Sequence, residues 1–288
     1  MPLVVVLIGD TFSREQETTA QGVKVVLDRA TLLVLPAAAG VLAGIAWQAP
    51  FLLYAAAIPL GLAAARYLPE QPMERHAHAP SYFREVFLAS LRVRSMTIFS
   101  MSSMRFFIET SFFVYLPLFA LNNLDVAVNR GGLLFTVFAI GSIVTATTVG
   151  SITRRFERIP LVIVAFFAQG LCLLASSMAG SIWVLGVAML AFGLANGVIS
   201  PAQKSLLTQS VPGQLRGGFV AADRIAQNTA KSIAPVVAGA VVVFTSIETM
   251  FQAMGAFAIG WALVAACLEL RGLLRPADVQ ATNPATDL

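Results

Sequence analysis

Arg105 and Glu109 stand four residues apart inside Ser95–Leu121, a stretch otherwise apolar enough to cross a bilayer. An ionised side chain at the bilayer centre costs about 3 kcal/mol or more, so such groups pair, meet water or serve a function. At i, i+4 the two share a helix face and can neutralise each other. Two uses fit: a cavity pair that contacts a solute or exchanges a proton, or a structural intrahelical pair near the inner interface. Asn196, Gln203 and Lys204 form a second polar cluster, with Asn196 and Gln203 one heptad apart. Gln227, Asn228 and Lys231 form a third, in which Gln227 and Lys231 are again i, i+4. Lys204 and Lys231 lie where long stems can snorkel to the cytoplasmic interface, which is the expected use of both. Phe106, Phe107, Phe112 and Phe113 are expected in packing or lipid contact.

Enzyme chemistry has little to stand on. There is no Gly-rich phosphate loop and no His inside an apolar run, and Glu109 is the one acid at depth that would serve an intramembrane catalyst. His76 and His78 lack a Cys or further His to complete a metal site, so neither metal nor cofactor is expected. Asp223-Arg224 reads as a helix-start charge and interface anchor.

These residues need a scaffold, and composition names it. Of 288 residues, 57% are hydrophobic and 12% charged, with a mean hydropathy of +0.79. A soluble domain has a wet exterior that must carry more charge than this. In hydrocarbon every backbone group must bond internally, so long apolar runs become helices. Membrane barrel strands alternate at period two, and these runs do not. The expected class is all-α, a polytopic membrane bundle. The net charge of +4 does not point to nucleic acid, because the basic residues form no dense patch. Cys172 and Cys267 are expected as free thiols. Met1–Ile8 lacks the basic region and cleavage site of a signal peptide.

Eight runs approach the roughly 20 apolar residues of a span: Ala30–Ala46, Ala49–Leu68, Ser95–Leu121, Gly131–Ile152, Pro160–Ala179, Ile182–Ser205, Ile225–Thr245 and Ile247–Leu270. The first is short and is expected to begin a turn or two earlier. Of the basic residues, all but Arg105 and Arg130 fall on one side: Arg14, Lys24 and Arg29; Arg66, Arg75, Arg84, Arg92 and Arg94; Arg154, Arg155 and Arg158; Lys204, Arg216, Arg224 and Lys231; Arg271 and Arg275. Positive-inside bias makes that side cytoplasmic, with both termini there and the plasma membrane as the expected location. Residues 69–94 form a linker whose stretch Ser81–Arg92 is amphipathic and suited to the interface plane. It separates residues 1–68 from a six-helix unit at 95–270, followed by a tail at 271–288.

The chain also repeats itself weakly. Pro36-Ala-Ala-Ala39-Gly40 in the first run matches Pro235-Val-Val-Ala238-Gly239 in the seventh, and Asp28-Arg29 and Asp223-Arg224 precede them at unequal distances. Runs equivalent at six helices apart make the first run the fifth helix of a six-helix unit. Gly193 and Gly197 form a G-x-x-x-G pair that admits a close neighbour, and Pro201 and Pro235 bend helices or give them flexure.

With these residues the sequence resembles the major facilitator superfamily. Gly193 to Gly197, Pro201, Val211-Pro212 and Leu215-Arg216-Gly217 look like that family's tenth helix and the turn after it. Pro235 and Ala238-Gly239 look like its eleventh, and Tyr115-Leu-Pro-Leu118 like the end of its seventh. Gly150, Arg155 and Arg158 match its basic loop motif G-x-x-x-D-R-x-G-R-[RK], in which Arg154 and Glu157 depart. The antiporter signature around Pro36 is nearly absent, with Gly40 the one glycine kept. The resemblance implies secondary transport of a small solute by alternating access, driven by a solute or proton gradient and aided by no cofactor. It covers helices five to twelve of twelve, so the expectation is truncation, with transport doubtful unless a separate chain supplies the missing helices or the start lies upstream. The rival is a non-transporting remnant or membrane assembly subunit.

Overall fold

The computed structural model describes residues 2–43, 48–67, 79–124, 128–211 and 213–271. His76, His78, most of the tail and part of the linker lie outside them. Ten α-helices are described: α1 (Pro2–Thr11), α2 (Arg14–Ala43), α3 (Ala57–Tyr67), α4 (Ala79–Ser90), α5 (Val93–Leu124), α6 (Val128–Arg155), α7 (Arg158–Ser177), α8 (Ile182–Thr208), α9 (Gly213–Phe244) and α10 (Ile247–Leu270), with a 3-10 helix at Ala49–Ala56 before α3. Among the described residues there is no strand, and the fold is an all-α helical bundle.

Among the described residues five helices are long and apolar enough to cross a membrane: α5, α6, α7, α8 and α10. α2 and α9 are longer than the runs Ala30–Ala46 and Ile225–Thr245 suggested, at 30 and 32 residues. Each begins three to four turns earlier because its N-terminal half is polar on faces that meet other helices. Mean hydropathy discounts such a half, whereas helical hydrogen bonding does not. The run Ala49–Leu68 opens as a 3-10 helix at Pro50 and continues as α3, whose large apolar side chains remain exposed.

Close backbone approach organises the bundle. A Cβ added to Gly193 would lie 2.2 Å from the Phe138 carbonyl oxygen, and one on Gly197 would lie 2.3 Å from that of Ser142. α6 and α8 therefore touch backbone to backbone, and the Thr145 hydroxyl crosses between them to the Leu194 carbonyl at 2.7 Å. Phe112 fills the centre, 5.2 Å from Phe192 and 4.9 Å from Phe251 between ring centroids, and is a core residue. α4 packs on α9: Val86 and Ala89 are buried, and the Tyr82 hydroxyl accepts from the Gly218 N–H at 2.8 Å. Phe87 and Leu88 of α4, and Leu91 just after it, are exposed. The amphipathic stretch thus has two apolar faces, one against protein and one free for the bilayer interface. Cys172 is buried and Cys267 exposed, and both are free thiols.

Candidate functional site

Glu109 on α5 is the hub of a polar network joining three helices. Its Oε2 accepts from Arg105 Nη1 at 3.4 Å and from Asn196 Nδ2 at 3.1 Å, and its Oε1 accepts from Arg29 Nη2 at 3.3 Å. Arg29 Nη2 also donates to Asn196 Oδ1 at 3.0 Å, and Arg105 Nε to Gln203 Oε1 at 3.2 Å. One carboxylate is thus shared by two guanidiniums. The i, i+4 pair exists, but it is neither isolated nor purely intrahelical. Arg29 corrects the sequence reading, which counted it with the cytoplasmic charges. It lies mid-way along α2, where its guanidinium also sits 4.9 Å from the Phe138 ring centroid.

A second network surrounds Gln227 on α9. Its Nε2 donates to Asp223 Oδ2 at 2.5 Å and to Ser102 Oγ at 2.8 Å, while Arg224 Nη1 donates to its Oε1 at 3.1 Å. Asp223 is only 4% exposed and lies in the third turn of α9, not at its start. The reading of Asp223-Arg224 as an interface anchor failed because it placed the helix start at Ile225.

Both networks face one cavity of about 690 Å³. Its wall carries Lys24, Arg29, Arg105, Lys204, Arg224 and Lys231 against Asp28, Glu109 and Asp223, with Phe106, Phe113 and Phe135 beside them. Lys204 and Lys231 were expected at the membrane interface, but they line this cavity instead. Lys231 Nζ lies 4.0 Å and Arg105 Cζ 3.9 Å from the Phe106 ring centroid. Phe106 and Phe113, expected in packing, are wall residues too, because α5 turns that face inward. Asn196 and Gln203 are buried and hold wall residues without lining the cavity themselves. Asn228 is exposed and absent from the wall, since one residue past Gln227 rotates the side chain by about 100°. The Asp-Arg parallel was the signal that would have found Arg29: all four of Asp28, Arg29, Asp223 and Arg224 line the cavity.

At the end where α6 meets α7, a further cluster ties α2 to α8 and α7. Glu17 is 2% exposed and accepts from the Thr208 hydroxyl and, at 2.6 Å, from Gln209 Nε2. Arg158 donates through Nε to Thr18 Oγ1 at 3.0 Å and through Nη1 to Gln209 Oε1 at 2.8 Å. Gly150 sits close against Thr19 there, and an added Cβ would lie 2.0 Å from its Oγ1. Arg155 is exposed. Near the opposite end the Tyr115 hydroxyl donates to the Pro235 carbonyl at 3.3 Å, and a Cβ on Gly239 would lie 2.6 Å from that hydroxyl. Pro201 lies inside α8, while Pro36 and Gly40 fall within α2. Among the described residues no group of three His, Cys, Asp or Glu side chains is placed to hold a metal.

A bundle of long apolar helices around a charged, aromatic-walled cavity fits a conduit, and the sequence profile of the Major Facilitator Superfamily matches residues 98–286. The chain belongs to that superfamily. Its fold is similar to the human organic anion transporter TETRAN, at 17% identity and a TM-score of 0.75, over 92% of this chain and 67% of that one. It is also similar to the proton:xylose symporter XylE, at 14% identity and 0.73, over 93% and 66%. The E. coli fucose:proton symporter FucP aligns at 15% identity and 0.72, over 93% and 71%. The chain therefore spans about two thirds of the length of these structures. No curated protein sequence matches it significantly. As a member of the superfamily it is an integral, multi-pass membrane protein, and membrane transport is its general class of function.

Proposed function

We propose that this superfamily member moves a small solute by alternating access, with the cavity as the solute site and a solute or proton gradient as the drive. The observation that carries the reading is the cavity itself: nine ionisable side chains from α2, α5, α8 and α9 converge on one space of about 690 Å³ inside an apolar bundle. Charge at depth is expensive and marks pathways. Residues 1–68 and 95–270 act as the two bodies that rock about it, joined by the linker 69–94, with the tail 271–288 beyond. The Glu17–Thr208–Gln209–Arg158 cluster latches one end, which the basic loops assign to the cytoplasm of a cell whose plasma membrane holds the protein. Gly150 and Arg158 shape that latch, Arg155 stands beside it, and Gly193, Gly197, Pro201, Pro36, Gly40, Pro235 and Gly239 set helix approach and flexure.

Counterflow by the chain in proteoliposomes, screened over sugars, organic acids and amines, tests transport. Uptake of at least one solute beyond protein-free vesicles is expected, and none would sink the reading. The latch makes its own prediction. In a Cys172→Ala, Cys267→Ala background, Ser200→Cys places a thiol on the cavity wall. Adding Thr208→Val and Gln209→Ala removes both donors to Glu17, and each lost hydrogen bond to a charged group is worth about 1.5–3 kcal/mol. Labelling by an impermeant maleimide from the basic-loop side should rise about tenfold or more. Unchanged labelling would show that the cluster is no latch.

A second reading is favoured by the exposed apolar side chains Phe51, Leu52, Tyr54, Ile58, Leu60 and Leu62 of the 3-10 helix and α3. They suit a membrane assembly subunit, or a separate chain that completes the first bundle. In that case flux would appear only on co-reconstitution with a partner.

A further inference from the structure

We infer that the solute is a small organic anion, an oxyanion carried on an aromatic or apolar body. This deepens the transport reading and rests on it for the identity of the cavity as the solute site. The acids of the wall are already engaged. Asp28 is paired with Lys24 at 2.6 Å, Glu109 serves both Arg29 and Arg105, and Asp223 is held by Gln227. Lys204, Arg224 and Lys231 have no carboxylate within salt-bridge distance among the described residues. Lys204 and Lys231 are the two of these that are not exposed, and without acidic partners they are costly when the cavity is empty, a cost that an incoming anion offsets. The wall carries six basic side chains against three acidic ones, so a cationic solute is repelled and a neutral one leaves the excess uncompensated.

The rest of the wall selects the body of the solute. Phe113 meets Phe135 edge-on at 5.2 Å between centroids, and Val114 lies beside them in the wall. Phe106 already faces Lys231 and Arg105. These rings give an apolar flank for a carbon skeleton while the lysines take its headgroup. A carboxylate and a phosphate ester share the needed chemistry, and the test separates them.

The chain in nanodiscs of uncharged phosphatidylcholine is titrated with radiolabelled benzoate, phenyl phosphate, benzyl alcohol and benzylamine. One or both anions should bind at least tenfold tighter than the alcohol and the amine, and lose affinity as salt is raised. Benzoate ahead of phenyl phosphate would identify a carboxylate, and the reverse order a phosphate. Lys204→Gln and Lys231→Gln should each weaken the preferred anion about tenfold, with Lys204→Arg restoring most of it. Equal binding of the amine or the alcohol, or no binding of either anion, overturns the inference. The comparison of solutes on the unaltered chain stands even if a variant misfolds. Counterflow of a neutral solute without anion binding would remove the anion and leave transport standing. Selective anion binding without flux in any counterflow experiment would do the opposite.

Discussion

Replacing Glu109 by alanine is expected to destabilise the bundle by about 3–5 kcal/mol, the cost of breaking a buried ion pair by removing one partner. The carboxylate is the acidic partner of both Arg29 and Arg105, whose side chains are 13% and 4% exposed, so the substitution strands two guanidiniums rather than one. Glu109→Gln keeps an oxygen to accept from Asn196 and Arg29 but removes the charge, and its cost should be smaller. A double-mutant cycle of Glu109→Gln with Arg29→Gln isolates the contact that joins α2 to α5. Unfolding of each variant in nanodiscs should give a coupling of about 1 kcal/mol or more. Additive effects would show that the two side chains do not interact in the membrane. Flux read on the same variants separates roles: a variant that keeps its stability but loses counterflow marks a pathway group, and parallel loss marks a structural one.

Gly193→Val and Gly197→Val are expected to prevent normal assembly of α6 on α8, each costing about 3 kcal/mol or more. The added carbon meets the Phe138 carbonyl oxygen at 2.2 Å in one case and the Ser142 carbonyl oxygen at 2.3 Å in the other. Both obstacles are main-chain atoms of a helix and cannot swing aside, so the helices must separate and lose contact along their length. Gly186 and Gly260 provide the control, since an added Cβ there meets nothing within 4 Å. Alanine at either should be neutral or slightly stabilising, because glycine is the poorer helix former by about 1 kcal/mol. Size-exclusion profiles and unfolding midpoints of the four variants would show the contrast. A monodisperse Gly193→Val chain with an unchanged midpoint would mean that the close approach of α6 and α8 is not needed.

Much of this arrangement was legible in residue order, and the parts that were not share a cause. The apolar runs fall on helices because lipid leaves the backbone no other hydrogen-bonding solution, a constraint that acts on each segment alone. The same local logic exposes the Arg105–Glu109 pair, which needs only the spacing of one helix, and the Gly193 and Gly197 positions, whose missing side chains imply a close neighbour. The superfamily resemblance, resting on Pro201, Pro235, Gly239 and the residues around Gly150, was likewise present in the chain. Hydropathy hid the polar halves of α2 and α9, since a helix facing a charged cavity is not apolar all round. Arg29, Asp223, Lys204 and Lys231 were therefore set at helix starts or interfaces.

Segment by segment, then, the order of residues determined where helices form, which of them are lipid-compatible and which groups are too costly to be idle. The meeting of Arg29 with Glu109 and Asn196, 80 and 167 residues away, was decided only when the helices packed. That choice depends on how each helix is rotated about its own axis, and one residue of offset turns a side chain by about 100°. Gln227 faces the cavity and Asn228 does not for that reason alone. The charge of the cavity is likewise a property of the assembled wall, because its cations come from four helices that share one space only once they have packed.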